Sequence, residues 1–278
     1  MGRRRTAALS LLLLVLLVAA AVVDRGHGGA RAGPRSGLGV AGDPLLERSD
    51  PAARALRLRR ARSAERAIDR VLRGRTTIRR GSRREREIAL TFDDGPSRYT
   101  AAILRILRRA GVHATFFPVG YSLDRWPRSL AAEARGGHVV GDHTLNHPPL
   151  ARLSFHGQVR EIRGEARRLR RYGMPVARLV RPPYGSYDRR TVTIARRLGL
   201  LVVLWSVDSE DYTRPGRRAI VRNVLAGARP GAIVLMHDGG GPREQTVAAL
   251  PAVIRRLRRR GLRLVTVPEL LPRRSRAR

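Results

Sequence analysis

The chain contains no cysteine and no lysine. Without cysteine the fold needs no disulfide, and any bound metal must be held by nitrogen and oxygen ligands. All 57 basic side chains are arginines, against 22 acidic residues, which gives a formal net charge of +35. Because the arginines are spread along the whole chain, we interpret the replacement of lysine as a bias toward GC-rich codons.

Aromatic residues are also scarce, at 4% of the chain. No run combines them with basic residues, as a stacking platform for single-stranded nucleic acid would require. No nucleic-acid-binding motif is present, so we expect no nucleic-acid partner despite the charge. A basic surface will instead be drawn to polyanions, such as an anionic cell wall or membrane surface. We expect a monomer.

The N-terminus has the composition of a membrane-targeting segment. Three arginines at residues 3–5 precede an uncharged stretch at residues 7–23 that is rich in Leu, Val and Ala. This arrangement is typical of a signal peptide, and its length also fits an uncleaved anchor with the arginines inside. Both alternatives predict an extracytoplasmic protein, either secreted or membrane-anchored.

Composition divides the chain into four segments. Residues 1–23 are the signal peptide or signal-anchor, and residues 24–85 are a linker rich in Arg, Gly and Ala, partly helical or disordered. Residues 86–271 are predicted to form one globular domain, and residues 272–278 a basic tail.

Within residues 86–271, short apolar runs alternate with amphipathic stretches. Strands are predicted at residues 88–92, 114–119, 138–140, 178–180, 201–207, 232–236 and 262–267. Helices are predicted at residues 99–109, 128–134, 155–172, 189–198, 217–226 and 244–259. This alternation predicts an α/β fold, a distorted (β/α) barrel of about seven parallel strands. The lack of Gly-x-Gly-x-x-Gly after the first strand argues against a dinucleotide-binding fold.

Five polar motifs follow predicted strands, and they share one expected location. In a β/α barrel the C-terminal ends of the strands meet at one face, which is where active sites lie. We therefore expect these motifs to cluster: Asp93-Asp94, the pair His143 and His147, Arg-Pro-Pro-Tyr at residues 181–184, Asp208 with Asp211, and His237.

Asp94, His143 and His147 are the candidate metal ligands. Two histidines four residues apart lie on one face of a helical turn, so both imidazoles can reach one ion. With the Asp94 carboxylate they leave positions open for water and substrate. Each motif alone has an ordinary explanation: Asp-Gly-Pro-Ser after Asp93 is good turn chemistry, and seven histidines make a chance pair unsurprising. Their combination favours the metal site.

The other polar residues suggest acid–base chemistry. Arg181 near Asp93 would keep that carboxylate ionised and aimed. The Tyr184 backbone N–H could donate to an oxyanion. His237 could protonate a leaving amine, with Asp211 holding its ring and raising its pKa, although a lone histidine of this kind is often a satisfied core residue.

Together, these motifs resemble those of the polysaccharide deacetylases with a NodB homology domain, carbohydrate esterase family 4. The resemblance covers about residues 86–271 and includes five motifs in order, at residues 91–95, 143–147, 181–184, 208–212 and 235–237. The family's fourth motif usually ends in tryptophan, whereas this chain has Tyr212, which bears on substrate preference.

The resemblance implies Asp93 as general base and Asp94 as a ligand of a divalent metal, with zinc foremost and cobalt or another divalent ion as alternatives. It implies a catalytic role for Asp211, and a substrate groove lined by Pro183, Tyr184 and Tyr212.

The implied activity is removal of N-acetyl groups from a cell-wall glycan, with peptidoglycan N-acetylglucosamine as the leading substrate. A chitooligosaccharide deacetylase and an acetylxylan esterase are alternatives with the same fold. A non-catalytic protein that binds the wall or another polyanion is an alternative of a different class.

Overall fold

The computed structural model describes residues 51–273. The predicted signal peptide or anchor at residues 1–23, the linker up to residue 50 and residues 274–278 of the predicted basic tail lie outside the described residues. Between residues 51 and 273, none of the helices combines the length and the apolar character needed to cross a bilayer.

The described strands form a single sheet in which all ladders are parallel. Their bounds are β1 Thr77–Ile78, β2 Glu87–Asp93, β3 Thr115–Phe117, β4 Val139–Asp142, β5 Val176–Val180, β6 Leu201–Val203, β7 Val207–Asp208, β8 Ala232–His237 and β9 Arg263–Val265. Eight lie in the order β1-β6-β5-β4-β3-β2-β8-β7, and β9 pairs with the start of β2.

Helices connect most successive strands and cover the sheet. Their bounds are α1 Pro51–Leu72, α2 Thr100–Arg109, α3 Pro127–Arg135, α4 Phe155–Arg171, α5 Arg189–Arg197, α6 Arg217–Gly227, α7 Glu244–Arg259 and α8 Val267–Leu270. Parallel strands joined by crossover helices confirm the predicted α/β fold, a distorted (β/α) barrel.

The sheet has more strands than the seven expected, for two reasons. The apolar run at residues 201–207 was predicted as one strand, but the chain leaves the sheet at Leu204 and re-enters it at Val207. The first half pairs with β5 and the second with β8. Strand β1 was not predicted because two residues are too short to show an alternating pattern.

Strand β1 and the residues just after it link β6 to β8. Strand β1 pairs with β6, and Arg80, just after it, forms an antiparallel bridge with Ala232 at the start of β8. This segment therefore spans the gap that would otherwise separate β6 from β8.

Side chains along β2 alternate between the two faces of the sheet, so they belong to two separate parts of the core. All seven residues of β2 are buried. Ile88, Leu90 and Phe92 belong to the cluster that includes side chains of α2, α6 and α7, whereas Ala89 belongs to a separate cluster facing the barrel interior.

Helix α1 contributes to the interior cluster. Ile68 is fully buried there, and Arg178 of β5 forms ion pairs with Glu65 and Asp69 on the helix. The part of the predicted linker that lies in α1 is therefore helical and packed against the barrel.

We predict that Ile68→Ala destabilises the protein by about 2–5 kcal/mol, because it removes a buried side chain and leaves a cavity. Leu58→Ala is the matched control, since Leu58 lies on the same helix with 53% of its surface exposed, and it should change stability by no more than about 0.5 kcal/mol. Urea denaturation followed by circular dichroism measures both. Equal effects of the two substitutions would mean that α1 does not pack against the barrel in solution.

Candidate active site

The charged residues of the site point to the same face of the sheet as the interior-facing residues that precede them in each strand. Side chains two residues apart on a strand point to the same face. At the C-terminal edge of the sheet the apolar interior gives way to polar side chains on this face: Asp93 follows Ala89 on β2, Arg181 follows Leu179 at the end of β5, and His237 follows Ile233 on β8.

Asp94, His143 and His147 converge on one point. The Asp94 Oδ1 atom lies 3.3 Å from Nε2 of His143 and 3.0 Å from Nε2 of His147. One potential ligand atom from each residue falls within 4.8 Å of the other two. The predicted metal ligands are thus brought together by the fold.

The two histidines do not lie on a helical turn, as the sequence had suggested. Residues 143–147 form a loop after β4, in which Thr144 and His147 have left-handed φ values of 73° and 59°. The loop is held by side chains: Asp142 accepts from the Thr144 N–H, and Thr144 Oγ1 accepts from the His147 N–H. These bonds, rather than helical periodicity, bring the imidazoles together.

A carboxylate on α4 fixes the same loop from outside the metal-ligand set. Glu161 accepts hydrogen bonds from both the backbone N–H (2.8 Å) and the side-chain amide (3.0 Å) of Asn146. Sequence reasoning missed this contact, because the two residues are fifteen apart in the chain and only the fold brings them together.

The geometry of the three residues fits a divalent cation. His143 Nδ1 lies 2.7 Å from the Arg181 carbonyl, and His147 Nδ1 lies 3.2 Å from the Tyr184 hydroxyl. Each contact engages the far nitrogen and leaves Nε2 for a ligand, the usual arrangement around metal-binding histidines. The buried Asp94 Oδ1 has no hydrogen-bond partner, as expected of an atom placed to bind a cation.

Asp93 forms a buried ion pair with Arg181. The two side chains meet at 2.7 Å, and Arg181 is completely buried. The guanidinium also donates to Thr91 Oγ1 (2.7 Å) and to the Val203 carbonyl (3.2 Å). Burial lowers the pKa of Arg181, and the charge and hydrogen bond of Asp93 oppose that shift. The pair therefore holds the Asp93 carboxylate in one orientation without exposing the arginine to solvent.

His237 is held by Asp211. Its Nδ1 lies 2.7 Å from Asp211 Oδ1, and Asp211 Oδ2 accepts from the His237 backbone N–H (2.9 Å) and from Thr246 on α7 (2.7 Å). Burial alone would lower the pKa of His237, but the hydrogen bond and charge of Asp211 outweigh it and raise the pKa to about 8. The imidazole is therefore a proton donor near neutral pH, with Nε2 free to face a substrate.

Two of the predicted groove residues are exposed and one is buried. Tyr184 exposes 71% and Tyr212 exposes 48% of its surface, and the Tyr212 ring meets His237 edge to face at 5.5 Å. Pro183 is buried. Its contact with substrate stays a prediction.

Tyr121 is a third exposed tyrosine at this edge, and sequence reasoning missed it. It exposes 53% of its surface, and its backbone N–H donates to the Leu145 carbonyl (3.0 Å) in the histidine loop.

Asp208, the other aspartate of the fourth motif, lies at the end of β7 and accepts a hydrogen bond from the Glu210 backbone N–H (2.8 Å).

Comparison with known proteins identifies the family of the chain. The polysaccharide deacetylase family profile matches residues 80–203. A peptidoglycan-N-acetylglucosamine deacetylase of Bacillus cereus is 38% identical over 190 residues, covering 67% of this chain and 89% of that protein. The chain belongs to the polysaccharide deacetylase family. The relatives support a NodB-type deacetylase of carbohydrate esterase family 4, and the chain is a deacetylase of the hydrolase class.

Two further relatives are similar to this deacetylase over most of their length. A chitooligosaccharide deacetylase of Sinorhizobium fredii is 39% identical over 207 residues, covering 69% of this chain and 95% of that protein. The crystal structure of a peptidoglycan N-acetylglucosamine deacetylase in complex with an N-hydroxybenzamide derivative superposes with a TM-score of 0.69 and 33% identity, covering 72% of this chain and 95% of that one.

We predict that Asp211→Asn lowers the pKa of His237 by about 1 to 3 pH units, because the neutral amide no longer stabilises the imidazolium while burial still disfavours it. NMR titration of the imidazole resonances measures the shift. Asp124→Asn is the control, since Asp124 is an exposed carboxylate bonded to Arg168 and Tyr172. An unchanged pKa in Asp211→Asn, or an equal fall in the control, would contradict the assignment.

Proposed function

We propose that this deacetylase removes N-acetyl groups from cell-wall glycan, with peptidoglycan N-acetylglucosamine as its substrate. The observation that carries the proposal is the placement of a buried carboxylate, Asp93, and a proton donor, His237, at the same edge as the Asp94, His143 and His147 cluster. Amide hydrolysis needs a base for water and an acid for the departing amine, and this edge supplies both.

Asp94, His143 and His147 would hold a divalent metal, and their nitrogen and oxygen donors suit zinc, with cobalt or another divalent ion as an alternative. When bound, the ion would lower the pKa of a coordinated water and polarise the acetyl carbonyl. Tyr184 keeps the His147 ring oriented through its hydroxyl, and the Arg181 carbonyl does the same for His143.

The chain's own residues move the protons. Asp93 accepts a proton from the attacking water, while Arg181 stabilises its charge and keeps its oxygen in place. The Tyr184 backbone N–H donates to the oxygen that becomes negative. His237 gives its Nε2 proton to the nitrogen of the breaking C–N bond, and Asp211 stabilises the imidazolium until then. The products are acetate and a free amine on the sugar.

The N-terminal apolar stretch and the net charge of the chain support the proposed location and partners. The apolar stretch at residues 7–23 would export the chain, which then acts as a secreted or membrane-anchored monomer. The formal charge of +35 favours an anionic wall or membrane surface, and export excludes nucleic acid as the working partner. The residues proposed to contact substrate are Pro183, Tyr184 and Tyr212, with Asp211 acting through His237.

A chitooligosaccharide substrate is the second candidate, and the similarity to the Sinorhizobium fredii protein favours it. The two are separated by measuring acetate released from intact peptidoglycan, from chitin oligomers and from acetylated xylan. Release from peptidoglycan above the other two supports the proposal. Faster release from chitin oligomers would replace it with the second candidate, and release from xylan alone would indicate an esterase.

We predict that Asp93→Asn lowers turnover by about 10²- to 10⁴-fold, because the amide cannot accept a proton from water. The variant should still bind one metal per chain, since Asp93 lies outside the ligand set, with Oδ2 at 3.8 Å from His143 Nε2. Acetate release and metal content by mass spectrometry measure the two effects, with Asp124→Asn as control. Near-normal turnover would contradict the role of base, and loss of the metal would make Asp93 a ligand instead.

A further inference from the structure

A glycine-rich turn, residues 238–242, follows β8 and packs against the end of β2. The backbone N–H groups of Asp238 and Gly239 both donate to the Asp93 carbonyl, at 3.0 Å and 3.3 Å. The turn thus begins beside the residue that precedes the Asp94 ligand. The turn lies outside the five sequence motifs and holds none of the groups proposed to move protons.

The backbone of this turn lies directly against Asp94. A Cβ atom added to Gly239 would lie 1.9 Å from the Asp94 carbonyl oxygen. A Cβ added to Gly240 would lie 2.3 Å from Asp94 Oδ2 and 3.0 Å from the Asp94 Cβ. Side chains do not approach other atoms this closely, so only glycine fits at these two positions.

The contact gives the two oxygens of the Asp94 carboxylate different surroundings. Oδ1 faces the two histidines, whereas Oδ2 faces Gly240. Asp94 itself has a left-handed φ of 68°, which a non-glycine residue adopts only when its surroundings hold it there. The turn is the part of those surroundings that contacts both the backbone and the carboxylate of Asp94.

A buried arginine fixes the shape of the turn. Arg243 is 4% exposed, and its guanidinium donates to the carbonyls of Gly239 (2.7 Å), Pro242 (2.9 Å) and Gly240 (3.2 Å). The rigid, planar fork of donors in arginine can bind several carbonyls at once, which lysine cannot do in the same geometry.

We propose that the glycine-rich turn at residues 238–242, held by Arg243, is the positioning element of the metal site: the turn blocks Asp94 Oδ2 and leaves Oδ1 as the ligand atom. Arg243 and Gly240 are positioning residues that touch neither substrate nor metal. The inference rests on the proposed metal site, and it concerns how the carboxylate is held rather than which reaction follows.

The first test is the zinc affinity of Gly240→Ala, measured by competition with a chromophoric chelator. The added methyl group would displace the carboxylate, and we expect zinc to bind about 10- to 100-fold more weakly, the range seen when support of a metal ligand is lost. Gly173→Ala is the matched control. Gly173 has nearly the same φ, 66° against 69°, but nothing lies within 4 Å of its added Cβ. The control therefore carries the same backbone strain without the collision.

The second test removes the clamp and does not depend on Gly240→Ala folding. Arg243→Gln should weaken zinc binding and change the visible absorption spectrum of the cobalt-substituted protein, while Arg243→Lys restores only part of the affinity. Arg86→Gln is its control, since Arg86 also donates to two backbone carbonyls but precedes β2, at the opposite end from Asp94.

The outcomes are distinct. Weaker zinc binding in Gly240→Ala and Arg243→Gln, with both controls at the wild-type affinity, supports the positioning role. Wild-type affinity and an unchanged cobalt spectrum in Arg243→Gln, or an equal loss in Gly240→Ala and Gly173→Ala, would overturn it. A wild-type protein that binds no zinc or cobalt would instead contradict the proposed metal site itself.

Discussion

The site depends on one fully buried arginine that serves two groups at once. The Arg181 guanidinium holds the Asp93 carboxylate, and its backbone carbonyl holds Nδ1 of His143. A buried charge is costly unless it is paired and hydrogen-bonded, and Arg181 meets this condition through Asp93, Thr91 and the carbonyls of Val203 and Leu204. The positions of the proposed base and of one proposed metal ligand are therefore coupled through a single residue.

The barrel makes this coupling geometrically simple. Parallel strands place all their C-terminal ends at one edge, and the alternation of side chains sends every second residue inward. Below the edge, the inward positions are apolar, as at Ala89 and Ile233; at the edge they are charged, as at Asp93 and His237. A change from apolar to charged over two or four residues converts a core into an active site.

Most of the secondary structure and the residues of the five motifs could be predicted, because they depend on short stretches of sequence. Most helices and strands follow hydrophobic periodicity, and the motif residues lie at the C-terminal ends of strands or just after them. The break between β6 and β7 and the two-residue β1 could not be predicted, since pairing with distant strands decides them. The contacts of Glu161 with Asn146 and of Thr246 with Asp211 were missed for the same reason, and the histidine loop is set by side-chain hydrogen bonds rather than helical spacing.

The proposed reaction requires one metal at Asp94, His143 and His147, together with Asp93 as base and His237 as acid. The most direct test is acetate release from peptidoglycan while metal-stripped protein is titrated with zinc. We expect the rate to rise with added zinc and to stop rising at one equivalent per chain, with no rise in His147→Ala. Acetate release at the full rate from the metal-stripped protein, or from His147→Ala, would contradict it.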